Sequence, residues 1–366
     1  MVDVKPIAFY LPQFYPNAVN DINWGQGFSE WRSVVKAKPL FEGHFQPRLP
    51  GALGFYDLRS QDVFEEQADL ARAAGVFGFC FYYYRMGNRR LLERPLHSYL
   101  EAARPDFPFM YCWANESWTR AWDGKSDDLL LEQVYDEATK RGLIADLVEA
   151  TQDPRYIRIK DKPFILIYQV ERIPDRKLWL EELRQAMWSR TGQEVTIGCV
   201  FSPGLKVEML QDVDSVVQFP PHRIPRSGPR KLLDVEFVEP FDNSRGDYFE
   251  PYDAIVEAAL TRVKGFDRMY PGVTPDWDNS PRRSKNAHVV IGSTPAKFES
   301  WVRRASDVSR EKFESGDIDA PLLFVNAWNE WAEGAVLEPT ELLGSAYLSA
   351  LTHGISSQAV PALSTE

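Results

Sequence analysis

The sequence predicts an α/β fold, a single (β/α)8 barrel with long loops after its strands. Eight short apolar runs alternate with helical patterns or long loops along the 366-residue chain. Hydrophobic content of 44% and a mean hydropathy of -0.36 are typical of a globular protein with a substantial core. No Gly-rich turn follows the first strand and no GxxxxGK[ST] sequence occurs, which argues against the alternative, a doubly wound sheet. We expect the barrel to cover residues 1–355 and residues 356–366 to form a flexible tail.

The predicted strands are apolar runs, and several end in polar or aromatic clusters. In the second run, alternation places three phenylalanines on one face and Gly78, Cys80, Tyr82 and Tyr84 on the other. In a closed barrel the face with the small residues points inward, and the two tyrosines lie near the carboxyl end. The eight predicted strands are residues 6–11, 76–84, 107–113, 163–168, 195–201, 213–219, 267–273 and 322–325.

Helix-start signals occur between several of these strands. Ser60 is a candidate N-cap for a helix that ends at Gly75, and Thr294 followed by Pro295 begins another. The aromatic content of the long irregular segment 20–53 argues against disorder. Residues 222–250 are polar and rich in Pro and Arg, which indicates a long loop. The predicted helices are residues 61–74, 95–103, 176–190, 252–263, 294–313 and 341–352.

Charge and composition exclude several classes of function. A net charge of -11 argues against a nucleic-acid-binding surface, which needs clustered Lys and Arg. The N-terminus does not have the pattern of a signal peptide, and no stretch of about 18 apolar residues occurs. We therefore expect no membrane span and a cytoplasmic location. Cys80, Cys112 and Cys199 lie far apart in apolar runs and are expected to be buried thiols.

The segment 321–334, PLLFVNAWNEWAEG, carries the clearest functional pattern. It begins as an apolar run and ends in amides, tryptophans and two carboxylates, Glu330 and Glu333. Because polar groups are costly to bury, this strand is expected to present chemistry at its carboxyl end. Two carboxylates flanked by tryptophans are typical of general acid/base groups that face a sugar. A surface turn with incidental acids is the alternative.

A similar cluster follows the third predicted strand, and the strand tips of a barrel converge on one face. Acids, amides and rings without clustered Lys or Arg favour a neutral polyhydroxy substrate. His222 is expected on the same face, and Gly27, Phe28 and Glu30 in its wall. The predicted substrate-binding residues are Gln13, Trp31, Tyr82, Tyr84, Trp113, Asn115, Glu116, Trp118, Trp122, Asp123, Tyr168, Gln169, Trp277, Asp278, Asn326, Trp328 and Asn329.

Glycosidic cleavage needs one carboxylic acid to protonate the leaving oxygen and one carboxylate to assist at the anomeric centre. Asn326, Trp328 and Glu330 share strand parity, so Glu330 is expected to point toward the barrel axis. One helical turn would place Glu333 about 5–6 Å from Glu330 at Cβ. Two carboxyls this close raise one pKa, as a general acid requires. Neither a metal-ligand spacing such as HExxH nor a GxSxG elbow occurs, and we predict no metal and no cofactor.

Long stretches of the chain carry a resemblance to a known family. They are AFYLPQFYP (8–16), GFSEW (27–31), KPLFEGHFQPRLP (38–50), GFYDLR (54–59), RLLERPL (90–96), WANESWTRAWDG (113–124), KPFILIY (162–168) and NAWNEWAEGAVLEP (326–339). In these stretches the chain resembles the WbsX family, glycosyltransferases by name from bacterial surface-polysaccharide clusters and related to glycoside hydrolase family 99. The resemblance implies a (β/α)8 barrel that acts on glycosidic bonds.

Family 99 enzymes are retaining endo-α-mannosidases that use two glutamates three residues apart. The resemblance implies that Glu330 is the base that deprotonates the sugar 2-hydroxyl to form an epoxide-like anhydrosugar. It implies that Glu333 is the acid and then the base for water. The epoxide route that the resemblance implies needs a 2-hydroxyl trans to the leaving group.

Three functions stay open at this point. The favoured one is a glycoside hydrolase or transglycosidase acting on an oligo- or polysaccharide of bacterial origin. The alternative is a nucleotide-sugar-dependent glycosyltransferase of O-antigen or capsule biosynthesis, although no acidic metal motif for a nucleotide sugar is evident. The third is a catalytically inactive, sugar-binding barrel.

Overall fold

The predicted (β/α)8 barrel is confirmed by a computed structural model, which describes residues 2–120, 125–222 and 238–356. The predicted tail from residue 357 onward, and residues 223–237 of the predicted long loop, lie outside the described residues. The barrel strands are β1 (Lys5–Tyr10), β2 (Gly78–Met86), β3 (Phe109–Trp113), β4 (Lys162–Ile167), β5 (Thr196–Val200), β6 (Ser215–Val217), β7 (Met269–Tyr270 and Gly272–Val273) and β8 (Leu322–Val325).

Each barrel strand pairs in parallel with the next, and β8 pairs with β1, where Lys5 lies opposite Leu322. The seventh strand is split at Pro271, and its first half pairs with β6 and its second half with β8. The barrel is therefore closed through two short segments. These eight positions agree with the eight apolar runs of the sequence, with ends that differ by a few residues.

The side chains of β2 alternate as predicted. Phe81 packs on Tyr99 of a surrounding helix at 5.2 Å between ring centroids, so the phenylalanine face points outward. Tyr82 stacks on Phe9 at 5.6 Å inside the barrel. All three cysteines are free and buried, as expected. Helices and strands therefore share one core, with the aromatic residues of β2 on both sides of the sheet.

Nine α-helices lie in the described part of the chain. They are α1 (Ala18–Trp24), α2 (Trp31–Lys36), α3 (Gln61–Ala73), α4 (Glu93–Glu101), α5 (Glu137–Gln152), α6 (Arg176–Thr191), α7 (Tyr252–Lys264), α8 (Pro295–Glu314) and α9 (Ala346–Ile355). Thr294 caps α8 as predicted, since its hydroxyl accepts a hydrogen bond from the Lys297 amide at 3.2 Å. Of these helices, none is long and apolar enough to cross a bilayer.

Helix α5 was not predicted, and neither were the short helices α1 and α2. The buried side of α5 includes Lys140 and Asp146, which interrupt the apolar periodicity. These charges are tolerated because Asp146 pairs with Arg85 of β2 at 2.7 Å and Lys140 pairs with Glu137 at 2.8 Å. A pattern based on apolar spacing does not detect such a helix.

Several short strands are present in addition to the eight barrel strands. Arg89–Leu91 and Arg158–Ile159 extend β2 and β4, and Tyr248–Pro251 pairs in parallel with His288–Ile291. Two antiparallel pairs lie at the carboxyl end of the barrel. They are Trp118–Arg120 with Lys125–Leu131 and Asn329–Glu330 with Ala335–Val336.

The split strand β7 depends on a glycine. A Cβ on Gly272 would lie directly against the backbone carbonyl oxygen of Gln218, which cannot move without disturbing β6. Overpacking of this kind costs about 1–3 kcal/mol. We expect Gly272→Ala to lower the free energy of unfolding by at least that amount in urea denaturation. Gly265→Ala, whose Cβ would be 3.6 Å from its nearest neighbour, is the control; an equal loss in both variants would contradict this reason.

Candidate active site

A cavity of about 380 Å³ lies at the carboxyl end of the barrel. This is the face where barrel enzymes carry their active sites. The cavity gathers side chains that follow β1, β2, β3, β4 and β8, as the sequence predicted for converging strand tips. The predicted residues that line it are Gln13, Tyr82, Tyr84, Glu116, Trp118, Tyr168, Gln169, His222, Glu330 and Glu333.

The centre of the site is one guanidinium that binds three carboxylates. Arg282 contacts Glu330 through Nη2 at 2.8 Å and Glu333 through Nη1 at 2.7 Å. Its Nε contacts Glu30 at 2.7 Å. Charge-assisted hydrogen bonds of this geometry are strong and fix the orientation of both partners. Glu330 and Glu333 therefore lie side by side at the edge of one planar group, in the same cavity.

The three carboxylates differ in their exposure. Glu30 is fully buried, the side chain of Glu330 is 6% exposed and that of Glu333 is 22% exposed. Burial raises the pKa of Glu330 to about 8, because the charges of Glu333 and Glu30 add to desolvation and outweigh the opposing charge of Arg282. Burial also raises the pKa of Glu30, against the charge of Arg282. Glu330 therefore binds a proton more readily than an exposed glutamate does.

A short turn, not a continued strand, positions the two predicted catalytic residues. Strand β8 ends at Val325, and Glu330 precedes a 3-10 turn over Trp331–Glu333. The indole of Trp331 donates to buried Glu338 at 2.6 Å. The Glu333 carbonyl accepts from the Asp278 amide at 2.6 Å. The turn is thus fixed from both the core side and the neighbouring β7 loop.

A further acid, Glu116, also lines the cavity. Burial raises the pKa of Glu116 to about 7, with the charge of Glu333 contributing and that of Arg172 opposing. Glu116 accepts a hydrogen bond from Gln169 at 3.0 Å. The rings of Tyr84 and Trp118 lie edge to face at 5.6 Å beside it. Rings and hydrogen-bonding groups together suit the apolar faces and hydroxyls of a sugar.

Several predicted substrate-binding residues hold the strand tips together and do not line the cavity. The side chain of Asn329 bonds the backbone of Leu11 at both its oxygen and its nitrogen, 2.7 and 3.1 Å. The side chain of Asn115 likewise donates to the backbone carbonyl of Gln169 and accepts from its backbone amide, each at 2.8 Å. Asn326 donates to the Pro220 carbonyl at 2.8 Å.

Four predicted tryptophans are also buried behind the cavity wall. Trp113 stacks on Trp179 of α6 at 5.4 Å, so its side chain faces the helices. Trp31 packs between Phe14 and Trp331, and Trp277 packs against His222. Trp328 lies against Phe79, on the outer face of the sheet, because the alternation of β8 does not continue past Val325.

Asp278 is a structural anchor in the loop after β7. It accepts hydrogen bonds from His44 at 2.8 Å and Gln46 at 2.5 Å. Burial alone would raise its pKa, but the hydrogen bond from His44 and the charge of Arg48 lower it to about 2. Asp278 therefore orders the turn that leads to Arg282. Trp122 and Asp123, which were also predicted to bind substrate, lie outside the described residues.

The sequence pattern missed two arginines in the site. Arg282 and Arg283 line the cavity, so the expectation that it lacks clustered basic residues is wrong. Asn20 and Trp24 of α1 also line it and were not predicted. The motif SPRR at 280–283 carried no strand-tip signal, because it lies several residues beyond the short segments of β7. Within the described chain, no group of His, Cys, Asp and Glu has the arrangement of a metal site.

Two solved structures share the fold. A glycoside hydrolase-like protein superimposes with a TM-score of 0.62 at 15% identity, over 98% of this chain and 95% of that chain. The GH99 endo-alpha-mannosidase from Bacteroides thetaiotaomicron superimposes with a TM-score of 0.55 at 16% identity, over 97% of each chain. At such identities the likeness concerns the barrel fold.

Two curated relatives are more similar in sequence. They are the uncharacterized WxcX proteins of Xanthomonas campestris pv. campestris, strains B100 and ATCC 33913, with 37% and 36% identity over 352 residues. These matches cover 96% of this chain and 49% of the relatives, so the chain spans about half their length. A family described as Glycosyltransferase WbsX matches residues 6–351. The chain belongs to the WbsX family.

Proposed function

We propose that this protein is a retaining glycoside hydrolase or transglycosidase that acts on a bacterial polysaccharide. The observation that carries the proposal is the pair Glu330 and Glu333, held by one guanidinium in a cavity with aromatic walls. Two carboxyls beside one another are the minimum that glycosidic cleavage requires. The barrel likeness to the GH99 endo-alpha-mannosidase is consistent with this chemistry.

The exposure of the two acids supports a division of roles. Glu333 is the more exposed, and the acid/base must meet first the departing sugar and then an incoming water. Glu330 lies deeper, where a base needs access only to the bound sugar ring. Its raised pKa makes it the stronger base once it is ionised. We therefore assign Glu330 as the base and Glu333 as the acid/base.

The proposed reaction has two steps. Ionised Glu330 removes the proton of the sugar 2-hydroxyl, and that oxygen bonds to C1 while the glycosidic C1–O bond breaks. Protonated Glu333 gives its proton to the departing oxygen. In the second step Glu333 takes a proton from water, the water oxygen bonds to C1, and the C1–O2 bond breaks. O2 recovers its proton from Glu330, so the anomeric configuration is retained.

The direct test is a product assay on purified bacterial capsule and O-antigen polysaccharides and on mannose-type oligosaccharides. New reducing ends without any added nucleotide sugar are expected, and proton NMR of the first product should show the configuration of the starting linkage. An inverted first product would contradict the two-step route. Release that depends on an added nucleotide sugar would contradict hydrolysis itself.

The pH dependence of kcat/KM distinguishes the roles. If Glu330 is the base, its ionised form is needed, and kcat/KM should rise with pH toward an apparent pKa near 8. Glu30→Gln removes one of the negative charges that raise the pKa of Glu330, so this limb should move to lower pH. A kcat/KM that falls through the same pH range would assign the acid role to Glu330.

A nucleotide-sugar-dependent glycosyltransferase is the second candidate, and the family description favours it. The discriminating measurement is the melting temperature with UDP or GDP. Because a ligand that binds the folded state raises its stability, a transferase should melt at a higher temperature with its nucleotide. The proposed hydrolase should melt at the same temperature with and without both nucleotides.

A further inference from the structure

Arg283 differs from its neighbour Arg282, because no carboxylate of the described residues pairs with its guanidinium. Its backbone is fixed, since its amide donates to the Ser280 carbonyl at 3.2 Å and its carbonyl accepts from Arg245 at 3.1 Å. Within residues 2–120, 125–222 and 238–356, its guanidinium forms no ion pair and no side-chain hydrogen bond. Yet Arg283 lines the cavity and is only partly exposed. A permanent positive charge thus lines the cavity without an ion-pair partner among the described residues.

His222 lines the same cavity, close enough to Arg283 for the charge of Arg283 to affect its pKa. Its ring stacks on Phe219 at 5.2 Å and meets the edge of Trp277 at 5.0 Å, so its orientation is fixed. Its Nδ1 atom is buried and lacks a hydrogen-bond partner in the described part of the chain. Burial lowers the pKa of His222 to about 4, and the charge of Arg283 acts in the same direction, against that of Glu333. At neutral pH, His222 is therefore an uncharged hydrogen-bonding group.

We propose that Arg283 and His222 form a subsite for a carboxylate carried by the substrate, which makes the substrate a polysaccharide with acidic sugars such as uronic acids. The inference rests on the proposed function of this cavity. One free guanidinium matches one negative charge, and the neutral imidazole adds a hydrogen bond without adding charge. A diphosphate carries more charge than this pair offsets.

The arrangement also fixes which way the acidic sugar lies. Arg283 follows Arg282, which binds both catalytic carboxyls, so the subsite adjoins the reacting bond. Glu116 also lines the cavity, and its ionised form would repel a carboxylate placed beside it. Attraction at Arg283 and repulsion at Glu116 favour one orientation of the acidic sugar. The acidic group therefore contributes to specificity as well as to affinity.

The test is a binding titration by calorimetry or NMR with D-glucuronate, D-glucuronamide, D-glucose and D-glucose 6-phosphate at low ionic strength. Glucuronamide has nearly the shape of glucuronate but no charge. For the wild-type protein, glucuronate should bind about ten-fold tighter than glucuronamide or glucose, as one charge-assisted pair predicts. Arg283→Met should remove the preference and Arg283→Lys should keep part of it. Arg304→Met, an exposed arginine paired with Glu257 away from the cavity, should keep all of it.

Equal binding of glucuronate and glucuronamide, no binding of any probe, or a preference that survives Arg283→Met would each overturn the subsite. Glucose 6-phosphate binding as tightly as glucuronate would overturn the assignment of a carboxylate. Thermal unfolding of Arg283→Met should match that of the wild type, since no ion pair is lost. These titrations need no turnover. A negative binding result would therefore leave the hydrolase proposal intact. If the protein proved not to hydrolyse polysaccharides, its preference for glucuronate could still be measured.

Discussion

Glu330→Gln and Glu333→Gln should each reduce kcat/KM by about 10³-fold or more, the range expected when a positioned acid or base is removed. Each substitution keeps the shape of the side chain but abolishes its ability to exchange a proton. The measurement is the initial rate of reducing-end release from whichever polysaccharide the wild-type protein cleaves. Glu341→Gln, an exposed glutamate in the same segment of the chain, should leave the rate unchanged.

The two variants should also differ from each other. An aryl glycoside with a good leaving group departs without protonation, so Glu333→Gln should retain much of its first-step rate on such a substrate. Glu330→Gln should remain inactive, since C1 still lacks its internal nucleophile. Equal activity of either variant and the wild type on the natural polysaccharide would refute the assignment. Polysaccharide affinity that persists in both variants, with no turnover in the wild type, would indicate the sugar-binding barrel.

The barrel and the position of the proposed catalytic pair, Glu330 and Glu333, could be predicted because both follow from patterns that are local in sequence. An apolar run that ends in acids and indoles defines a strand and its tip without reference to any other segment. The same reasoning placed Glu116 and Gln169 in the cavity, since each follows the end of an apolar run. The location of a residue that directly follows a single strand can therefore be predicted from the sequence.

The direction in which side chains point at the ends of the strands was harder to predict from the sequence. An amide side chain carries both a donor and an acceptor. It can therefore bind a sugar, or it can pair with the backbone N–H and C=O of a neighbouring strand end, equally well. Asn329 and Asn115 do the latter and join neighbouring strand ends. The sequence pattern of a polar tip is the same in both cases. Only the position of the facing backbone distinguishes an anchoring amide from a substrate-binding one.

The arginine at the centre of the site was inaccessible for a different reason. Arg282 is 48 residues from Glu330 along the chain and 252 from Glu30, and no spacing rule links them. Its placement depends on the loop after β7, which is anchored by Asp278 and His44. Such a contact appears only when the barrel closes. Ion-pair centres that join separate loops are therefore the part of an active site that sequence patterns are least able to predict.

Arg282→Met should lower the free energy of unfolding by about 3–5 kcal/mol at pH 8, the cost of removing one partner from a buried ion pair. It leaves Glu30, which is fully buried, and Glu330, which is nearly so, without their positive partner. Because the charge of Arg282 lowers the pKa of both, its loss raises their pKa values further in the folded state. The folded variant then binds more protons than its unfolded chain, so its stability should fall as pH rises.

Urea denaturation at pH 5 and pH 8 measures both effects, and the destabilisation of Arg282→Met should be smaller at pH 5, where more of the Glu30 and Glu330 carboxyls hold a proton. Arg304→Met, which breaks an exposed ion pair, should cost less than about 1 kcal/mol at either pH. Adding Glu30→Gln to Arg282→Met should recover part of the loss, because one uncompensated buried charge is removed. A destabilisation of Arg282→Met that is independent of pH, or that Glu30→Gln worsens, would mean that packing of the arginine side chain, and not its charge, supports the proposed catalytic pair.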